Sequence, residues 1–197
     1  MEVVGHSLPR YDGVLTSCKE KPGAVLPTDL SFGTKFVAVY FFYKRQGLVP
    51  HVILTMEMVN KAKTNGGFVD QKMFKMAGKY GFDSLYLTET GMQVLDGYIN
   101  HIRPLLRPTC DFVMATRNGG QHLKVGGLMS KLVFDATGKY VQPTRYQQIV
   151  ETASSRQLSS SAQSTISEDQ KHNSVVARVH YQKQRSREVA SQAHEHL

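Results

Sequence analysis

Phe36-Val-Ala-Val-Tyr-Phe-Phe-Tyr43 is an uninterrupted apolar run of eight residues, and it decides the fold class of this chain. By composition alone the run fits either a buried helix or a buried strand. Thr28-Asp29 upstream is a helix start signal, and the distance from there to Arg45-Gln-Gly47, which ends the segment, exceeds that of an ordinary strand. We therefore predict a buried helix that begins near Asp29 and ends at Arg45.

Beyond this helix, helical and strand signals are mixed. A short helix is predicted over 52–62, and Asn65-Gly-Gly67 is a turn signal. Phe68-Val-Asp-Gln-Lys-Met73 and Asp83-Ser-Leu-Tyr-Leu87 predict two short strands that form a hairpin. Phe112-Val-Met-Ala-Thr116 is the candidate for a third strand.

Helical signals dominate the rest of the chain. Thr88 is a cap for a helix whose apolar residues recur at helical spacing until Pro104. Further helices are predicted over 122–136, 143–153, 173–181 and 186–196. The predicted fold class is therefore mainly α with a small antiparallel β-sheet (α+β) of two or three strands.

Both ends of this pattern carry segments of different composition. Residues 1–27 include Pro9, Gly13 and Pro22 without sustained periodicity, which predicts an extended linker. Residues 154–167 hold seven serines in fourteen positions, which predicts a mobile connector. Residues 28–197 are accordingly predicted to form one domain.

The overall charge is strongly basic. Lys and Arg total 24 against 16 Asp and Glu, which gives a formal charge of +8 and a pI of about 9.5. Such an excess is typical of proteins that neutralise phosphates, although many basic domains bind no nucleic acid. The two cysteines, Cys18 and Cys110, form no metal-binding or disulfide framework by their spacing. The chain also has no run of apolar residues long enough for a membrane span, so we expect no membrane partner.

Several common chemistries lack their sequence signals. The chain has no phosphate-binding glycine loop followed by Lys-Ser/Thr, no Gly-x-Ser-x-Gly motif and no paired acidic cluster for two metals. An RNA-binding module would need an aromatic-rich ribonucleoprotein motif, which is also missing.

The most specific pattern lies near the C-terminus. Lys171-His-Asn-Ser-Val-Val-Ala-Arg-Val-His-Tyr181 places His172 nine residues before Tyr181, and Gln142-Pro-Thr-Arg145 opens a predicted helix upstream. This order resembles the C-terminal signature of the tyrosine site-specific recombinases, the phage-integrase family. The resemblance spans roughly Leu30 to Leu197. It implies an integrase-like catalytic domain that cuts and rejoins double-stranded DNA with a tyrosine nucleophile, and needs no metal or other cofactor.

The resemblance assigns roles to the residues of this pattern. Tyr181 would be the nucleophile, and His172 would contact the scissile phosphate or assist proton transfer. Arg145, which lies 27 residues before His172, would bind phosphate oxygens, as the fork of a guanidinium can. The alternative for Tyr181 is packing within a helix beside Val175, Val176 and Val179, and for His172 it is helix capping.

One position departs from the family pattern. Gln142 stands where the His-x-x-Arg motif has histidine. An amide can donate a hydrogen bond to phosphate but cannot carry a proton charge. We therefore retain Gln142 as a site residue and expect reduced activity. A recombinase-derived domain that binds DNA without cutting it is the alternative function.

Two further catalytic positions of the family pattern are matched less closely. Arg45 in Arg45-Gln-Gly-Leu-Val follows an apolar helix, as the first catalytic arginine of the family does, although a basic pair with Lys44 can also compensate a helix dipole. Lys79, in the predicted hairpin between the two strands, corresponds to the lysine that protonates the departing 5′ oxygen. Lys75 competes for this role.

The last segment predicts a protein partner. Val189, Ala193 and Leu197 share one face of a short amphipathic helix that is too small to be stable alone. In the family such a segment docks on a neighbouring protomer, which implies a homo-oligomer on DNA through the C-terminal helix of 186–197; docking within its own domain is the alternative. The segment 143–152 resembles recombinases of eukaryotic mobile elements, for which a nuclear location is expected, and a cytoplasmic one otherwise. Residues 1–27 are too short for the family's N-terminal clamp domain, so a fragment is expected.

Overall fold

The computed structural model describes residues 2–45, 53–71 and 83–143, together with seven single positions: Arg145, Tyr146, Ile149, Ser159, Ser161, Ala162 and Thr165. The chain divides into two compact units, Met1–Pro143 and Thr144–Leu197. Nearly all described residues belong to the first unit. The predicted helices over 173–181 and 186–196, and most of the predicted connector over 154–167, lie outside the described residues.

Helices dominate the first unit. They are α1 (Glu2–Glu20), a 3₁₀ turn (Pro22–Ala24), α2 (Pro27–Arg45), α3 (Met56–Thr64), α4 (Glu89–Gly97), a π-helical turn (Tyr98–Ile102), a 3₁₀ turn (Arg103–Leu106) and α5 (Val125–Thr137). Two antiparallel strands, β1 (Phe68–Gln71) and β2 (Asp83–Tyr86), lie between α3 and α4. The predicted class, mostly helical with a small antiparallel sheet, is therefore confirmed at this level.

Helix α2 forms the centre of the first unit. It packs against α1, α5 and the π-helical turn. Phe36, Val39 and Phe42 have no exposed surface, and burial extends around the helix rather than along one stripe. A helix that is apolar on all sides must be covered on all sides, which explains its central place. Gly33 allows close packing here, since a Cβ at this position would lie 2.5 Å from Cδ1 of the buried Ile102.

The N-terminal segment contradicts the predicted extended linker over 1–27. Residues 2–20 form helix α1, although Pro9 lies within it. Its buried residues recur at intervals of three and four, which is the helical period; they are Val3, Ser7, Tyr11, Val14 and Cys18. The prediction is wrong because burial of this stripe against α2 stabilises the helix despite its proline and glycines.

The two strands follow the predicted hairpin closely. Phe68 pairs with Tyr86, and Val69 with Leu85. Val69 and Leu85 are buried, whereas the Phe68 and Tyr86 rings lie together on the exposed face with centroids 4.9 Å apart. The alternation of buried and exposed residues is that of a sheet with one solvated face. Residues 72–82, which contain Lys75 and Lys79, lie outside the described residues.

The predicted third strand over 112–116 is wrong. The segment is buried but makes only single antiparallel bridges among the described residues, between Thr55 and Phe112 and between Ala115 and Gln121. The Val113 N–H donates to the Leu54 carbonyl at 2.8 Å, but the pairing ends at Thr55, because helix α3 begins at Met56 with Thr55 as its cap. The Arg103 guanidinium also donates to the Phe112 carbonyl at 3.0 Å, so a side chain takes the place of a strand partner.

The remaining boundaries differ from the predictions by a few residues. The helix predicted over 52–62 is α3 at 56–64, and that predicted over 122–136 is α5 at 125–137. Thr88 caps α4 as predicted, since its hydroxyl accepts a hydrogen bond from the Gly91 N–H at 3.1 Å. At the start of the helix predicted over 143–153, the described positions 143, 145, 146 and 149 are helical. No helix in the described part of the chain is both long and apolar enough to cross a membrane.

Candidate functional site

Few of the six candidate catalytic residues fall on described side chains. Arg45 is the last residue of α2, and only its backbone is described. Lys79, His172 and Tyr181 lie outside the described residues, as does Lys75. Gln142 and Arg145 are both exposed, the first in a loop of the first unit and the second in a helical position of the second unit. Of the six, only Gln142 and Arg145 therefore have described side chains.

The loop that carries Gln142 is attached to α5. The Ser130 hydroxyl is buried and donates a 3.0 Å hydrogen bond to the carbonyl of Val141, the residue before Gln142. Gly138 ends α5 in the left-handed conformation, with φ of 69°. Together these features position the Gln142 backbone while its amide side chain faces solvent. An exposed amide in this position can donate a hydrogen bond to an anionic ligand.

The first unit contains a second candidate site that the sequence patterns did not indicate. A cleft of about 810 Å³ is lined by the N-terminal half of α2, the 3₁₀ turn before Arg107, the segment 115–122 and α5. Its four cationic side chains are Arg10, Lys35, Arg107 and Arg117, and its one acidic side chain is Asp135. We call it the cationic cleft. Such an imbalance of charge suits an anionic ligand.

Arg107 and Arg117 lie at the two ends of a constrained loop. The Thr109 N–H donates to the Gly119 carbonyl at 2.8 Å, and the Thr116 N–H donates to the Gly120 carbonyl at 2.7 Å. Gly119 has a φ of 81°, and a Cβ there would lie 2.5 Å from the Arg107 carbonyl oxygen. The close approach of these two backbone segments fixes the separation of the two arginines.

Arg107 itself has an unusual backbone. Its φ is 51° and its ψ is 59°, which places it in the left-handed region that non-glycine residues rarely adopt. The strain is accommodated because the Arg107 N–H donates to the Pro104 carbonyl at 3.0 Å and closes the 3₁₀ turn. Among the described residues, neither the Arg107 nor the Arg117 guanidinium has a hydrogen-bond or ion-pair partner. Both are exposed, and both are available to a ligand.

Lys35 lies among other charges in the cleft. Burial lowers the pKa of its ammonium group, the Asp135 carboxylate partly offsets that effect, and the positive charges of Lys131 and Arg10 lower the pKa further. Asp135 also forms an ion pair with Lys131, whose ammonium group lies 3.5 Å from its carboxylate. An anion in the cleft would relieve this repulsion and raise the pKa of Lys35.

Arg10 forms the outer wall on α1. Its guanidinium carbon lies 4.1 Å from the centroid of the Phe32 ring, and its nearest carboxylate is that of Asp29 at 3.7 Å. The ring contact and the ion pair together hold the Arg10 guanidinium beside α2.

His122 contributes a titratable group to the same cleft. Its backbone N–H donates to the Met114 carbonyl at 2.9 Å. The Nδ1 atom of its ring is shielded from solvent and has no regular hydrogen bond to another described residue. Burial lowers the pKa of the imidazole, and its own backbone partly offsets this. The lowered pKa disfavours the charged form of the ring.

The cleft could be anticipated from the sequence only in part. Arg117-Asn-Gly-Gly120 has the composition of a turn, but nothing in the sequence relates it to Arg107 or Lys35, because the contact between 107–109 and 119 is tertiary. Arg10 was assigned to a linker. Among the described residues no cluster of His, Cys, Asp or Glu has the arrangement of a metal site.

Comparison of this chain with protein families, with curated proteins and with solved structures finds no match.

Proposed function

We propose that this chain binds double-stranded DNA and cuts and rejoins one strand at a time through Tyr181. The observation that carries the proposal is the order and spacing of Arg145, His172 and Tyr181, which resembles that of the tyrosine recombinases. The formal charge of +8 supports the DNA-binding part, because binding to a phosphate backbone depends on an excess of Lys and Arg.

The proposed chemistry conserves the phosphodiester bond energy. The Tyr181 phenolate oxygen attacks the scissile phosphorus, the bond from phosphorus to the 5′ oxygen breaks, and a 3′-phosphotyrosyl link forms. Arg45 and Arg145 stabilise the charge that develops on the non-bridging oxygens. Lys79 gives its proton to the departing 5′ oxygen, and His172 binds the phosphate or assists proton transfer. Attack by a 5′ hydroxyl on the phosphotyrosine reverses these steps and rejoins the strand.

A trapping experiment tests the nucleophile. The full chain is incubated with a pool of random-sequence duplexes in which the bridging 5′ oxygens are replaced by sulfur, so that the released thiol rejoins poorly. We expect a denaturant-resistant adduct of protein and DNA that is lost in Tyr181→Phe. Tyr140→Phe, which removes an exposed hydroxyl of the first unit, should leave it intact. An adduct that survives Tyr181→Phe would falsify the assignment.

The same substrate separates Lys79 from Lys75. A thiolate leaves without prior protonation, because its conjugate acid has a pKa of about 8.5. Loss of the general acid should therefore impair cleavage of the oxygen substrate and spare the sulfur substrate. We expect Lys79→Ala to show this rescue and Lys75→Ala to lack it; rescue of Lys75→Ala alone would reassign the role.

Gln142 favours a second candidate function, DNA binding without cleavage. Its side chain is exposed at a position where the family has histidine. If the amide has abolished turnover, the natural chain should bind DNA and form no adduct, and Gln142→His should restore adduct formation. If the amide only slows the reaction, Gln142→His should raise the rate of an adduct that already forms.

The proposal also assigns a partner to the C-terminal segment, namely a second copy of the chain on the same DNA. Deletion of 186–197 should then impair strand exchange between two sites more than binding to a single site. Equal loss of both activities would place the segment within its own domain.

A further inference from the structure

We infer that the cationic cleft of the first unit binds the phosphodiester backbone of a nucleic-acid strand, with Arg107 and Arg117 contacting successive phosphates. The inference rests on the DNA-binding part of the proposed function and not on the chemistry of Tyr181. It adds a phosphate-binding surface on Met1–Pro143 to a function that the sequence pattern placed mainly in the C-terminal part of the chain.

Charge is the first reason. Four cationic side chains line the cleft, and its one carboxylate, Asp135, already lies near Lys131. Lys35 is partly buried, and burial lowers its pKa; the Asp135 carboxylate raises the pKa, while Lys131 and Arg10 both lie close enough to lower it. Two phosphate charges would offset this repulsion.

The conformation of Arg107 is the second reason. A left-handed non-glycine residue costs free energy, and such residues concentrate at ligand-binding positions. The Arg107 backbone closes the 3₁₀ turn, while its guanidinium is exposed and has no partner among the described residues, so the side chain is available to a ligand. The loop bonds between Thr109 and Gly119 keep Arg117 at a fixed distance from it. The backbone positions from which the two arginines extend are therefore set before a ligand binds.

Size and wall chemistry are the third reason. A single phosphate would occupy only a small part of about 810 Å³, whereas clefts of about 300–1,000 Å³ accept ligands of several linked groups. Leu30, Leu105 and Leu128 line the same cleft and provide apolar surface between the charges. A wall that combines cationic side chains with apolar surface suits the phosphates and sugars of a strand.

Binding of a short labelled DNA duplex to the full chain, followed by fluorescence anisotropy between about 50 and about 200 mM salt, tests the inference. The test variant is Arg107→Gln/Arg117→Gln. We expect its affinity to fall on the order of tenfold at the lower salt concentration. The slope of log affinity against log salt should decrease by about two, one for each phosphate that the variant no longer binds. Arg117 lies in an exposed turn, and the single variant Arg117→Gln should show about half of the change in slope that the double variant shows.

The control variant is Lys19→Gln/Lys21→Gln. It also removes two positive charges, but from exposed positions that do not line the cleft. We expect an affinity within about threefold of the natural chain, since only long-range charge is removed. An equal decrease in affinity for the control and test variants would overturn the inference, as would wild-type binding by the test variant.

Two further measurements separate the possible failures. The adduct assay reports on Tyr181 and the anisotropy assay reports on the cleft, so absence of an adduct together with the expected anisotropy results would leave the cleft assignment standing. Inorganic pyrophosphate serves as a small phosphate probe. If it stabilises the natural chain but not the test variant against thermal unfolding, while both bind the duplex equally, the cleft binds a free phosphate compound and the strand assignment is wrong.

Discussion

The Tyr11 phenol donates a 2.8 Å hydrogen bond to the carbonyl oxygen of Val94, which joins α1 to α4 across 83 residues of sequence. The Tyr11 ring also stacks on Phe36 of α2, with ring centroids 4.4 Å apart. One side chain of α1 therefore contacts both the central helix and the helix after the sheet. This explains why a segment with poor local helix signals is nevertheless ordered as a helix.

Tyr11→Phe should lower the free energy of unfolding by about 1 kcal/mol, the usual net contribution of one hydrogen bond. The decrease should not be larger, because the Val94 carbonyl still accepts a hydrogen bond from the Tyr98 N–H. Urea unfolding followed by circular dichroism measures the difference. Tyr140→Phe, at a largely exposed ring, is the control and should change stability by less than about 0.5 kcal/mol. Equal effects of the two substitutions would contradict a structural role for the Tyr11 hydroxyl.

The comparison of α1 with α2 shows which parts of the fold could be predicted. The continuous apolar run of α2 identified a buried helix because every position agrees with burial. In α1 the buried stripe includes Ser7 and alternates with Gly5, Pro9 and Gly13, so local composition opposed the helix. Burial in the folded unit makes α1 a helix. A single sequence does not show which surface will cover the buried stripe.

Alkaline pH should destabilise the first unit through its buried tyrosines. Burial raises the pKa of Tyr11, with smaller contributions from Tyr98, Asp12 and Cys18, and burial also raises the pKa of Tyr98. In the unfolded chain these phenols ionise near pH 10. The stability they contribute is therefore fully present below about pH 10 and is lost as pH rises above it, because only the unfolded chain releases the protons.

The slope of this decrease gives the measurement. Each tyrosine that stays protonated only in the folded chain contributes a slope that approaches about 1.4 kcal/mol per pH unit. Urea unfolding between about pH 9 and about pH 11 should show a slope that Tyr11→Phe reduces by one such increment. A pH profile that Tyr11→Phe leaves unchanged would mean that the phenol ionises normally in the folded chain.

For the candidate sites, only residues related by their spacing along the chain could be predicted. Arg145, His172 and Tyr181 could be proposed because their roles depend on spacing along the chain. Arg107 and Arg117 could not be paired, because their relation depends on the approach of two loop segments at Gly119. Spacing in sequence indicates a site made from a linear motif, whereas a cleft between helices becomes visible only when the helices are packed.

Arg107→Gly should stabilise the protein by about 0.5 kcal/mol while it removes one charge from the cationic cleft. A left-handed residue with a side chain costs about 1 kcal/mol, and the greater freedom of glycine in the unfolded chain offsets part of the gain. Arg117→Gly is the matched control, because Arg117 has a negative φ and glycine there should lower stability by about 0.5 kcal/mol. Urea unfolding should thus show changes of opposite sign, while both variants weaken duplex binding. A decrease in stability for Arg107→Gly would show that its guanidinium stabilises the fold.

Gly119→Ala and Gly120→Ala form a matched pair that tests how the loop positions the two arginines. At Gly119 the φ of 81° is unfavourable for alanine, and the new Cβ would lie 2.5 Å from the Arg107 carbonyl oxygen and 3.1 Å from the Thr109 nitrogen. These are backbone atoms that cannot rotate away. We expect unfolding free energy to fall by about 2 kcal/mol or more, together with weaker duplex binding, because 107–109 must move away from 119.

At Gly120 the nearest atom to a new Cβ is the Thr116 hydroxyl oxygen at 3.8 Å, which is ordinary van der Waals contact. Gly120→Ala should therefore change stability by less than about 0.5 kcal/mol and leave duplex affinity unchanged. Urea unfolding and anisotropy on both variants measure the contrast. If Gly119→Ala were less stable but bound the duplex as tightly as Gly120→Ala does, the separation of Arg107 and Arg117 would not govern binding, and the two arginines would act as independent surface charges.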